Sequence, residues 1–129
     1  MLEQWMPILS FLSYLIMACL LLVISLTVYV KTTPINEFNL IRDNNLGAGI
    51  SLAGAVLGFV FPIVSAIFFT HSLLEMLKWA GISLIAQLML VAILHRQYPE
   101  IEKGNVATAL VVAALSIALG MFNAVSISY

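Results

Sequence analysis

The stretch Asn45-Leu46-Gly47-Ala48-Gly49-Ile50-Ser51-Leu52-Ala53-Gly54-Ala55-Val56-Leu57-Gly58-Phe59-Val60-Phe61-Pro62 decides the fold of this chain. It carries no charge and continues as an apolar run to Thr70. Gly54 and Gly58 form a GxxxG, and Gly47, Ser51 and Ala55 extend a stripe of small residues at four-residue spacing. Small residues at that spacing let helix backbones approach closely where lipid gives helices no hydrophobic reason to associate. The stretch therefore reads as a membrane-spanning helix with one packing face. Pro62 removes the amide that would have bonded the Gly58 carbonyl, so a kink is expected there.

Outward from this helix, three more apolar runs cover roughly 8–30, 73–94 and 106–127, beside 46–70 itself. At about 1.5 Å per residue each spans on the order of 30 Å as a helix, enough for a hydrocarbon core. The 129 residues are 63% hydrophobic and only 9% charged, more apolar surface than a soluble domain of this size can bury. The runs lack the period-two alternation of a membrane barrel. The expected fold is an all-α membrane protein with four transmembrane helices and no separate soluble domain. A net charge of −1 without a run of Lys and Arg excludes nucleic acid as a partner.

Helix starts are marked by Asn45 and Asn105 as N-caps, and by Ser72 with Glu75 in capping-box spacing. Pro7 suits the first turn of the first helix. Lys31, Arg42, Arg96 and Lys103 cluster in the segments 31–45 and 96–105, so both are predicted to be cytoplasmic, with the two termini outside. Sliding the chain by about 61 residues places Arg42-Asp43-Asn44 on Lys103-Gly104-Asn105 and Ala48 on Ala109. Two parallel two-helix repeats follow, a first hairpin over 1–70 and a second over 71–129.

The last helix echoes the small-residue stripe with Ala109, Ala113, Ser116 and Gly120. Together with Gly47, Ser51, Gly54 and Gly58 these residues are expected to form helix contacts, either within the chain or between copies in a homo-oligomer. Gln87 and Asn123 are intramembrane amides that need partners, as interhelical hydrogen bonds or as the lining of a polar path. His71, Ser72, Glu75, Lys78 and Trp79 read as interfacial capping and anchoring, because the neighbouring sequence supplies no metal-ligand set. Cys19 has no disulfide partner in the chain. No cofactor or metal is expected, and no nucleophile or phosphate-loop motif points to an enzyme. The loop 33–42, with Pro34, Asn36, Glu37 and Arg42, is a structural cap or a docking surface for a cytoplasmic partner.

Thr33-Pro34-x-Asn36-Glu37, Leu40-Ile41-Arg42-x-Asn44, Gly47-Ala48-x-Ile50-Ser51-Leu52-x-Gly54, Gly58-Phe59, Pro62, Gly104-Asn105, Gly120 and Asn123 resemble the YjfL-type family, a bacterial inner-membrane family classed as a domain of unknown function. The resemblance implies a four-helix inner-membrane protein without assigned activity, cofactor or catalytic residue. The family's gene neighbourhoods imply a role near membrane-stress proteins in envelope maintenance. Lys78, beside Trp79, departs from the apolar residue expected there. The function expected is a non-enzymatic oligomeric scaffold in contact with membrane lipid. A small channel or transporter subunit, with Gln87 and Asn123 on a path between the repeats, is the alternative.

Overall fold

A computed structural model describes residues 2–127. Met1, Ser128 and Tyr129, the outer limits of the two predicted hairpins, lie outside the described residues. All regular structure among the described residues is helical: α1 (Leu2–Thr32), α2 (Glu37–Arg42), α3 (Leu46–Thr70), α4 (Leu73–Ile93), a 3-10 turn (His95–Gln97), α5 (Tyr98–Glu102) and α6 (Val106–Ser126). The four long helices are apolar and long enough to cross a bilayer. At 31 residues α1 is about 46 Å long, well beyond a hydrocarbon core. Because α1 begins at Leu2, Pro7 stands in its second turn rather than its first, and removes an amide that would have bonded Glu3.

The caps form as the sequence indicates. Asn45 accepts from the Ala48 amide at 3.0 Å and Asn105 from the Thr108 amide at 3.0 Å. Ser72 accepts from the Glu75 amide at 3.3 Å. The reciprocal half of the capping box is not made: the Ser72 amide turns to the Thr70 hydroxyl at 3.4 Å, and Glu75 pairs with Lys78 at 3.0 Å.

The turns before α3 and α6 are built from the same three backbone bonds. Asp43, Asn44 and Asn45 donate to Asn39, Ile41 and Leu40, and Lys103, Gly104 and Asn105 donate to Pro99, Ile101 and Glu100. Each turn closes a short helix through a left-handed residue, Asn44 at φ 63° or Gly104 at φ 94°. Asn45, not Asn44, is thus the equivalent of Asn105. The identity match is one residue out of register, because the cap fixes the position and the Ala identities do not.

Helices α3 and α6 form the centre and run parallel: Gly47 lies by Asn105 and Ala109, Gly54 by Ala113, Gly58 by Ser116 and Gly120, and Ser65 donates to the Ala124 carbonyl. Their backbones touch. A methyl carbon added at Gly54 would lie 2.6 Å from Ala113 Cβ, at Gly58 2.6 Å from Gln87 Nε2, and at Gly120 2.6 Å from Gly58 Cα. Gly47 is less tight, at 3.3 Å from Asn45 Oδ1, and Gly49 faces open space. Both small-residue stripes are therefore spent on each other inside one chain, and that face is closed to a second copy. The Gly58 carbonyl, freed by Pro62, lies against Gly120. The Ser65 hydroxyl, an alternative partner for that carbonyl, goes to Ala124 instead.

Alanine at Gly54 or Gly58 is expected to destabilise the bundle by about 1–3 kcal/mol, since each forces two backbones apart. Alanine at Gly49 should leave stability unchanged or slightly raised. Denaturant unfolding of the purified protein in detergent, followed by circular dichroism, checks this contrast.

Candidate functional site

The loop segments 31–45 and 96–105 meet at one end of the bundle, opposite the Thr70–Ser72 turn. Asn45 ties them together: besides capping α3, its Nδ2 donates to the carbonyls of Ile101 at 3.3 Å and Glu102 at 3.1 Å. Beneath them lies a core of Tyr29, Ile35, Ala48, Tyr98, Ile101 and Ala109. The Tyr29 and Tyr98 hydroxyls are 2.9 Å apart and buried.

Within the loop, burial alternates with sequence. Thr33, Ile35 and Glu37 point inward, whereas Pro34, Asn36 and Phe38 are exposed. Asn36 caps α2 by accepting from the Asn39 amide at 3.2 Å, and Arg42 ends α2 in the open. Of the two readings of this loop, structural cap or docking surface, Glu37 takes the first and does not belong to an open docking face, for the residue is 1% exposed. The reason is the start of α2: Asn36 turns the chain so that the first helical residue points back at α1. There Glu37 Oε1 lies 2.6 Å from Thr33 Oγ1, and Oε2 has no partner. Burial raises the carboxyl to about 7, against the opposing Thr33 bond and its own backbone amide. Burial likewise holds the Tyr98 hydroxyl neutral and above its usual range; the Tyr29 bond opposes this and the Glu37 charge adds to it.

The chain matches the family described as Domain of Unknown Function (DUF350) over residues 2–127. It belongs to that family. The UPF0719 inner membrane protein YjfL of Escherichia coli strain K12 is 31% identical over 126 residues, covering 95% of this chain and 96% of that protein. The protein of the same name from Escherichia coli O157:H7 gives the same figures. No solved structure matches. With four apolar spans and these relatives, the chain is a multi-pass protein of the bacterial inner membrane.

The Thr33-Pro34-x-Asn36-Glu37 string of this DUF350 chain now has a physical reading: a hydroxyl and a carboxyl four residues apart across a bend in the chain that meet in the core, with a cap between them. Their burial was not legible in the sequence, because an isolated Glu in a polar loop reads as solvated; the only signal was Thr and Glu at i, i+4 beside an Asn cap.

Deep in the bundle, Gln87 is fully buried and donates from Nε2 to the Ser116 carbonyl at 3.0 Å, leaving Oε1 without a partner. Asn123 is half-buried, with Nδ2 unpartnered. The two amides are not hydrogen-bonded to each other. Ser51 bonds back to the Ala48 carbonyl at 3.2 Å. At the opposite end, His71 takes the left-handed C-cap position of α3 and its carbonyl accepts from the Tyr14 hydroxyl. Lys78 stands 4.9 Å over the Trp79 ring, so its departure from an apolar residue is matched by a cation–π contact. No three His, Cys, Asp or Glu side chains converge on a common point among the described residues.

Replacing Asn45 by Ala is expected to cost about 1–2 kcal/mol, more than the same change at Asn105, since both lose a cap but only Asn45 also bridges the two loops. Parallel thermal melts of the two variants in detergent measure the difference.

Proposed function

We propose that this protein is a non-enzymatic scaffold of the bacterial inner membrane, with loops 31–45 and 96–105 in the cytoplasm and both termini outside. In this reading the outer side of the 34–42 loop docks a cytoplasmic protein concerned with membrane stress or envelope maintenance. The observation that carries the reading is the division of that loop: Thr33, Ile35 and Glu37 fasten it from below, while Pro34, Asn36, Phe38, Ile41 and Arg42 stand exposed together. A fastened loop presents those side chains at low entropic cost on binding, which favours recognition. The basic residues of both loops support the cytoplasmic side. Self-association belongs to the same proposal and uses the lipid-facing surface, widest on α1, because the Gly and Ala stripes are already paired.

A channel or transporter subunit draws support from the unpartnered Gln87 Oε1 and Asn123 Nδ2. Against it stand the full burial of Gln87 and the backbone contact of α3 with α6.

A photo-crosslinking residue at Phe38 in living cells is expected to give one discrete adduct with another protein, lost when Arg42 is changed to Glu, whereas the lipid-facing Phe61 should capture nothing except a second copy of this chain. Purified protein in liposomes should show no solute flux. Absence of the Phe38 adduct, together with a flux abolished by Gln87→Leu, would transfer the assignment to transport.

A further inference from the structure

The Thr33 hydroxyl carries one proton, yet three acceptor oxygens surround it: the carbonyls of Val30 at 3.0 Å and Ile35 at 3.3 Å, and Glu37 Oε1 at 2.6 Å. With Glu37 ionised, Thr33 can satisfy only one of them. With Glu37 protonated, the carboxyl O–H donates to Thr33 Oγ1 and the Thr33 proton passes to a backbone carbonyl, so the hydrogen count improves by one. The carboxyl is faced by Tyr29 from α1, by Thr33 from its own loop and by Tyr98 from the α5 segment, and the hydroxyls of Tyr29 and Tyr98 share one bond. Among the described residues the ion pairs are Glu75 with Lys78 and Glu100 with Lys103, so no cation pairs with Glu37. Lys31 and Arg42, the basic residues nearest in sequence, are exposed. A lone carboxyl without neighbouring acids suits a proton rather than a divalent ion.

We propose that Glu37 is a proton-binding site that, through its bond to Thr33, keeps the 33–45 loop folded against the end of α1 while protonated and lets it open on losing the proton. Loss of the proton leaves a buried carboxylate with one unpartnered oxygen and no counter-ion, and hydration by loop opening is the relief available to it. The sign follows from the raised carboxyl: the closed loop is most stable below about 4.5, loses stability as pH rises, and has lost the full contribution once pH passes about 7. The site would thus couple cytoplasmic pH to the surface assigned above to partner docking. It relies on that assignment only for its consequence, since the opening of the loop is measured without any partner.

The test is hydrogen–deuterium exchange of the full chain in lipid nanodiscs from pH 5.5 to 8.5, corrected for intrinsic exchange. The reporters are the bonded amides of Leu40, Asp43, Asn44 and Asn45. Their exchange should rise about tenfold or more across that range. Glu37→Gln, which keeps shape and donor, should abolish the rise, and Glu102→Gln, at an exposed carboxyl, should not. A flat wild-type profile, or a rise that persists in Glu37→Gln, overturns the proposal. Should that variant fail to fold, the carboxyl carbon of Glu37 in the wild type, followed by NMR, decides: a midpoint near neutrality supports the site, and one near 4.5 refutes it.

Discussion

The closeness of α3 to α6 is the constraint on which the rest of the molecule depends. A membrane offers no hydrophobic gain for bringing two apolar helices together, so association rests on dispersion contacts between surfaces smooth enough to meet over a large area. Gly54 against Ala113, and Gly58 against Ser116 and Gly120, supply that surface. Pro62 fits the same scheme, since the carbonyl it frees faces Gly120 at a point of close backbone approach, where a weak Cα–H donor can reach it. Once α3 and α6 are locked, α1 and α4 pack on the outside with most of their surface left to lipid.

The same lock brings the starts of α3 and α6 side by side and thereby joins the two loops. Each start is prepared by a short helix that ends in a left-handed residue and an Asn, so that one Asn both closes the preceding turn and caps the following helix. Asn45 can then reach the backbone of the second loop, and Tyr98 can reach Tyr29. The buried carboxyl of Glu37 is a consequence of this meeting, for its surroundings come from α1, its own loop and the second loop together. Burial of an acid is expensive unless it is neutral or paired. Its presence beneath a loop whose other side is open gives that end of the molecule a chemistry that the span centres lack.

Much of the architecture is legible without coordinates. The four apolar runs coincide with the four long helices to within a few residues, except that α1 starts earlier, and Asn45, Ser72 and Asn105 cap where their side chains predict. These features depend on interactions within a few residues, which sequence spacing describes directly. The small-residue stripes were also visible, but not their partner: a GxxxG specifies a smooth face and is silent about whether the facing helix belongs to the same chain. Gly49 shows the limit at finer grain, since it lies among the small residues of α3 and yet a methyl carbon added there would touch nothing.

What the sequence by itself determined is the class of solvent each segment prefers and where each helix begins, because bilayer length, charge placement and capping are local properties. Tertiary structure alone decided that the two stripes meet each other, that Glu37 turns inward while Pro34, Asn36 and Arg42 stay out, and that Gln87 finds the Ser116 carbonyl. Each of those outcomes depends on groups far apart in the chain, and their energies exist only once the helices are in contact.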